Sequence, residues 1–243
     1  YKVTGVQTCA LPIFSTRYGE WLYVDGDTLV FGKPGDTGAE LKAGSDIKNF
    51  VIQGNLQPSQ FSFKTYDSFT GENVSKSGVS LHALNNDFGN AAINGSKSVF
   101  SRSTEKVIHS FNASNKEMVE SIATLQANLR TTQSLNVHGD SKHPALKAGC
   151  KFKIKTASGS YEYIATSVVH VSSQTGHYKN NFEAVAGASK VPPYTNPNLF
   201  RRADSQSAIV KENHDTDGLN RIKVQRSEEH TSELQSPCNL VCR

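Results

Sequence analysis

From Cys150 to Lys155 the sequence alternates without a break: Cys150, Phe152 and Ile154 are apolar, while Lys151, Lys153 and Lys155 are charged. A period of two marks a strand with one buried and one wet face. Two longer runs rich in aromatic and β-branched residues come next, Tyr161 to Val171 and Tyr178 to Val185, separated by a Gln174-Thr175-Gly176 turn. With Leu135-Asn136-Val137 before them, residues 134–186 are expected to form consecutive antiparallel strands of a barrel or curved sheet. Phe152, Ile154, Ile164 and Val168 are expected inside it.

The same signals recur earlier. Glu20 to Val24 and Thr28 to Phe31 flank Asp25-Gly26-Asp27 and predict a hairpin, with glycine supplying the positive-φ turn. Phe14 to Tyr18 reads as the tail of a helix ended by Gly19. Phe50-Val51-Ile52 and the alternating Phe61 to Tyr66 are further strands. Residues 67–100, rich in Gly, Asn and Ser, read as weak strands and loops. One helix is expected, over about 115–130. Ser114 and Glu117 fit a capping box, and Met118, Ile122, Leu125 and Leu129 repeat on one face. Lys190 to Pro197 reads as a proline-stiffened connector, with Pro192-Pro193 holding the C-terminal strands away from the sheet. Those strands are Ser207 to Val210 and Arg221 to Gln225, two short runs around a polar loop. At 36% hydrophobic and 20% charged residues, the chain can bury a core. No apolar run is long enough for a membrane helix, and a net charge of +4 is too mild to imply nucleic acid as partner.

The two ends read differently from the rest. Val3 to Ile13 resembles the in-frame translation of a sequencing-library adapter, and Arg226 to Ser236 resembles the same adapter on the opposite strand. Tyr1-Lys2 can be encoded by an index hexamer whose reverse complement, placed in frame, yields Pro237-Cys238-Asn239; Leu240 to Arg243 then continues the adapter. Residues 1–13 and 226–243 are therefore expected to be foreign to the fold. Setting them aside removes three basic and three acidic residues, so the charge balance is unchanged. It also removes Cys9, Cys238 and Cys242, leaving Cys150 alone with no intrachain disulfide to form.

The order of the remaining pieces resembles a known family. Tyr18-Gly19-Glu20-Trp21 with its hairpin is similar to a stretch of bacterial VgrG proteins, the spikes of type VI secretion, and of phage baseplate hub and tail-spike proteins. Leu146 to Ile154 matches their Leu-x-Pro-Gly-x-x-Phe-x-Leu pattern, with Ala148 where proline is usual. Tyr163 to His170 matches a Tyr-Leu-Val-Thr-Ser-Val-x-His pattern, and Tyr178 to Ala184 a Tyr-x-Asn-x-Phe-x-Ala strand. Gln206 to Val210 and Asp217 to Gln225 resemble the opening of the family's OB-fold domain, where the sequence normally runs on to Phe-x-Trp. The resemblance implies a mainly β protein: a partial hub β-barrel or curved antiparallel sheet with one α-helix over 14–190, a connector over 191–205, and the truncated start of an OB-fold over 206–225. It also implies a homotrimer on a hexameric tube protein, with effector or tip proteins as further partners. Such a protein would stand in the bacterial cytoplasm before firing and then be injected into a target cell.

The residues themselves offer little chemistry. There is no P-loop, no metal-type cysteine pair and no Gly-x-Ser-x-Gly elbow. His138, His143 and Cys150 match no standard metal-ligand spacing and fit a surface strand-loop-strand better. His170 reads as a satisfied barrel histidine rather than a base, and Cys150 as a buried inert thiol rather than a nucleophile. Lys151, Lys153 and Lys155 fit a solvated or aggregation-resistant strand face at least as well as an acidic partner. Trp21, Tyr23 and Phe31 fit barrel filling better than a sugar site. The sequons at Asn73, Asn94 and Asn112 are chance-level in so Asn/Ser-rich a chain. No catalytic residue, metal site or cofactor is expected. A structural hub-spike component is the favoured class; a fragment of a spike-linked cell-wall hydrolase whose catalytic part lies elsewhere is the alternative.

Overall fold

A computed structural model describes residues 5–67, 70–108, 115–173, 176–199, 207–218, 221–226 and 241–242. The helix α1 (Gly5–Tyr18) stops where Gly19 was expected to end it; the Gly19 and Glu20 N–H groups both bond the Ser15 carbonyl, at 3.0 and 3.1 Å. The expected hairpin comes next as β1 (Trp21–Asp25) and β2 (Thr28–Gly32), turning through Gly26 at φ +60°.

Beyond the hairpin lies a six-stranded sheet, built from β3 (Gly35–Lys42), β4 (Ile47–Gly54), β8 (Leu135–Ser141), β9 (Cys150–Thr156), β10 (Gly159–Ser172) and β11 (Tyr178–Ala186). Its order is β3-β9-β10-β11-β8-β4, and every pairing is antiparallel except β3 with β9. The two edge strands are consecutive in the chain. A tight turn with an Ala43–Ile47 bridge joins them, and Lys142 N–H bonds Asp46 O at 3.0 Å. The sheet therefore curls until its edges approach at one corner. Phe152, Phe182 and Tyr163 fill the concave side, Phe152 meeting Phe182 edge-on at 5.5 Å. As expected, Phe152 and Ile154 lie within this core. Ile164 is buried on the opposite face, with Trp21 and Val185, and Val168 is half-buried against the concave core. The reason is a bulge between Ala165 and Ser167, which inserts a residue and reverses the facing beyond it.

Within the stretch between β4 and β8, three strands and a helix form a second, smaller body. Here β5 (Gln60–Asp67) is flanked by β6 (Glu72–Ser80) and, in parallel, by β7 (Thr104–Val107). The helix α3 (Lys116–Gln133) lies on this sheet, burying Val119, Ile122, Ala123 and Ala127 against Phe61 and Phe63. The helix and its sheet were expected; its facing is corrected. Ile122 and Leu129 of the expected face are buried, joined by Val119, Ala123, Gln126 and Ala127, whereas Met118 is 36% exposed and Leu125 half-buried. The N-cap is Asn115, accepting from Met118 N–H at 2.9 Å, rather than Ser114, which lies outside the described residues.

Three helices are described: the one whose tail was expected at Phe14 to Tyr18, the one expected near 115–130, and one more. The third, α2 (Asp87–Val99), falls where weak strands and loops were expected. Asn86 caps it by accepting from the Phe88 and Gly89 N–H groups, and Ile93 enters the barrel core. The connector is also corrected. Val191, Pro192, Thr195 and Pro197 are buried, and Asn196 N–H bonds Thr16 O at 2.7 Å, so the stretch through Pro197 packs against α1 rather than standing free. Beyond it, β12 (Ala208–Glu212) and β13 (Ile222–Arg226) form the expected antiparallel ribbon, joined by the backbone of β14 (Val241–Cys242). That last pairing, like the helical backbone of residues 5–13 in α1, runs against the expectation that both ends are foreign to the fold. Leu11 and Ile13 are half-buried and belong to neither core, and Leu234 lies outside the described residues.

Candidate assembly surface

No cluster of three or more metal-ligating side chains exists among the described residues. His138 is exposed, its Nε2 3.5 Å from Gln53; His143 is half-buried, with Nδ1 accepting from Ala145 N–H. Cys150 lies beneath the hairpin, 4% exposed, and burial, then the nearby Asp25 carboxylate, push its thiol pKa up. That is the opposite of what a nucleophilic thiolate needs. His170 is exposed rather than a barrel filler, and its Nδ1 shares a 2.6 Å hydrogen bond with the Tyr178 hydroxyl, which also accepts from Asn180 Nδ2. Of the three lysines, Lys151 pairs with Glu162 at 3.0 Å and Lys155 with Glu40 at 3.8 Å, while Lys153 faces solvent. Trp21 is buried, but with Ile164 and Val185 on the face opposite the concave core rather than filling it, and Phe31 is 44% exposed.

What the structure does present is surface. The convex face of the six-stranded sheet carries exposed Val51 on β4 and Val169 and Val171 on β10, with His138, Asp140, Asn181 and Glu183 between. A groove of about 360 Å³ runs across it. The charges here are mixed and do not converge on a point, so the face suits packing against another surface better than holding a small ligand. Beyond the bulge, β10 residues from Ser167 onward pair with β11 alone, because β9 reaches only to Ile164. A second, smaller groove lies between α1, α3 and the connector, lined by Tyr18, Met118, Leu125 and Pro197.

The hairpin is fastened to the barrel by polar and steric contacts together. Lys147 Nζ donates to Asp25 at 2.5 Å, and Tyr194 accepts from Leu22 N–H at 2.8 Å and donates to Glu20 O at 3.2 Å. In the ribbon, Arg221 grips Asp215 in a two-pronged bond of 2.8 and 3.0 Å and also donates to Asp217. These bonds hold the Asp215 carboxyl well below the usual carboxylate range. The Asp/Asn/Gly loop is thereby closed on its own guanidinium.

No family model and no curated protein matches the sequence. Solved structures do match by fold. A 43 kDa tail protein of prophage MuSo2 from Shewanella oneidensis superposes with a TM-score of 0.51 at 12% identity, covering 76% of this chain and 55% of its own. A tail protein from Neisseria meningitidis MC58 gives a TM-score of 0.48 at 12% identity, covering 80% of this chain and 58% of its own. An Escherichia coli component of the type VI secretion system, described as similar to the T4 tail proteins gp27 and gp5, gives 0.36 at 12% identity over 87% and 47%. The chain thus spans a little over half the length of the tail proteins it matches first. The mainly β fold, with its curved sheet, is shared with the Shewanella prophage tail protein.

Sequence reasoning missed the convex valines as a surface. Val169 and Val171 sit in a run that reads as ordinary strand, and only the bulge at Ala165/Ser167 turns them outward.

Proposed function

We propose that the chain is a structural hub component of a contractile injection machine, a VgrG-like type VI spike or a phage baseplate hub. The observation that carries this reading is the coincidence of motif and fold. The patterns at Leu146–Ile154, Tyr163–His170 and Tyr178–Ala184 fall on β9, β10 and β11, at the centre of a sheet shared in fold with a prophage tail protein. Under this reading residues 14–190 are part of the hub and 206–225 open an OB-fold domain, with residues 1–13 and 226–243 foreign to both. The protein acts as a homotrimer seated on a hexameric tube protein, carries an effector or tip protein, and travels from the bacterial cytoplasm into a target cell. The role is mechanical: trimerisation covers faces such as the convex valines, and curled sheets carry force through strand pairing. The test is the native mass of the uninterrupted gene product together with its tube protein. A trimer that co-migrates with tube rings is expected; a monomer at tens of micromolar that ignores the rings would sink the proposal.

A further inference from the structure

The barrel and the α3 body are separate cores, and the chain passes between them at residues 81–86. Leu81 and Leu84 sit in the barrel core, while His82 between them turns to the last turn of α3. There Thr131 Oγ1 donates to Ala127 O at 2.9 Å, which spends its only hydrogen. Toward His82 it can only accept, and it does so twice: from the backbone N–H at 3.4 Å and from ring Nδ1 at 3.3 Å. The ring is thereby fixed as the Nδ1–H tautomer. Its Nε2 carries the lone pair, is buried, and has no hydrogen-bond partner.

Four other bonds across this joint join neutral groups. Thr132 Oγ1 donates to Val191 O at 2.9 Å, Gln133 Nε2 to Pro193 O at 3.4 Å, and the Asn55 and Gln57 amides both donate to Gln133 O. The charged groups on the elements packed here are Lys190, near enough to act on the ring, and Arg130, which donates to Gln57 Oε1 at 2.8 Å.

We propose that His82 is an acid-sensitive latch: neutral, it holds the end of α3 against the crossover into the barrel, and protonated, it releases the α3 body from the barrel. Protonation would place an N–H on Nε2 where no acceptor waits, and a positive charge beside Lys190. Burial first, and Lys190 second, lower the His82 pKa accordingly. The folded joint therefore binds fewer protons than the open one. The latch is at full strength above the ordinary histidine value of 6.5, weakens as pH falls below it, and loses no more once pH passes the lowered value.

The experiment uses the full chain. Histidine resonances are followed from pH 8 to 4.5, with His82 assigned by His82→Asn, and amide exchange is measured at matched intrinsic rates. The His82 midpoint is expected below 6.5. Protection of residues 127–133 and 81–84 should fall by about tenfold for each unit the midpoint is lowered, with β9 to β11 unchanged. In His82→Asn this acid loss should vanish. A midpoint at or above 6.5, or an acid loss that persists in His82→Asn, overturns the proposal. Should His82→Asn not fold, Lys190→Gln serves: a raised midpoint with a smaller acid loss supports the latch, and an unchanged midpoint refutes it.

Discussion

Gly149 is where the hairpin meets the barrel. It sits at φ +77°, and a Cβ built there would lie 2.2 Å from Tyr23 Cγ, inside the phenol ring. Its backbone is fully used: the N–H bonds Ala165 O at 2.7 Å, and the C=O accepts from Gly35 N–H at 3.0 Å, tying the central strand β10 to the edge strand β3. Only a residue without a side chain permits both the left-handed backbone and the close approach of Tyr23. Gly149→Ala should therefore cost about 2–4 kcal/mol, from backbone strain and ring displacement together. Urea unfolding followed by Trp21 fluorescence reads both parts, because Trp21 lies in the same hairpin and is buried on Ile164 and Val185. A midpoint within error of the parent protein would show that the ring is not seated as described.

The helix α3 shows how a stripe of apolar residues can mislead by one position. Met118, Ile122, Leu125 and Leu129 form a good helical face in sequence, yet the helix turns so that Val119, Ala123 and Ala127 join Ile122 against β5. Alanines carry little weight in a periodicity reading, but here they permit close approach to Phe61 and Phe63. Ile122→Ala should destabilise by about 2–5 kcal/mol, whereas Met118→Ala should stay within about 0.5 kcal/mol, as for an exposed site; chemical denaturation of the two variants side by side checks the facing. Equal losses would restore the original stripe. The strands β8 to β11 and the first hairpin were legible because alternation and turn residues are local signals. The helix α2 was not: Gly89, Asn90, Gly95 and Ser96 are weak helix formers, and the Asn86 cap with Ile93 burial overrides their propensity. The parallel edge strand β3 carries few apolar residues, and its partner β9 is over a hundred positions away. His82 was illegible for a similar reason, since its burial exists only once α3 docks on the crossover.

Where the stable body ends is decided by the connector. Read from its prolines alone, Lys190 to Pro197 is a spacer, but prolines say nothing about which neighbours their carbonyls meet. Here Val191 O and Pro193 O both accept from the end of α3, Tyr194 bridges to β1, and Asn196 bonds back to α1. The stretch through Leu199 is thus held to α1, α3 and the first hairpin. The ribbon differs. Every residue of β12 is exposed, Ile209 and Val210 at 60% and 54%, and its sheet takes no strand from either core. Two or three short strands with an uncovered apolar face are marginal in water. Limited digestion with a protease of broad specificity, read by mass spectrometry, should first cut between Leu199 and Ala208, leaving a resistant fragment that keeps Val191 to Leu199. Early cuts inside Val191–Leu199 would mean that the connector bonds do not hold it. Resistance through Arg226 would mean that the ribbon's exposed face is covered in solution, and the place to look for its cover would be a second copy of the chain.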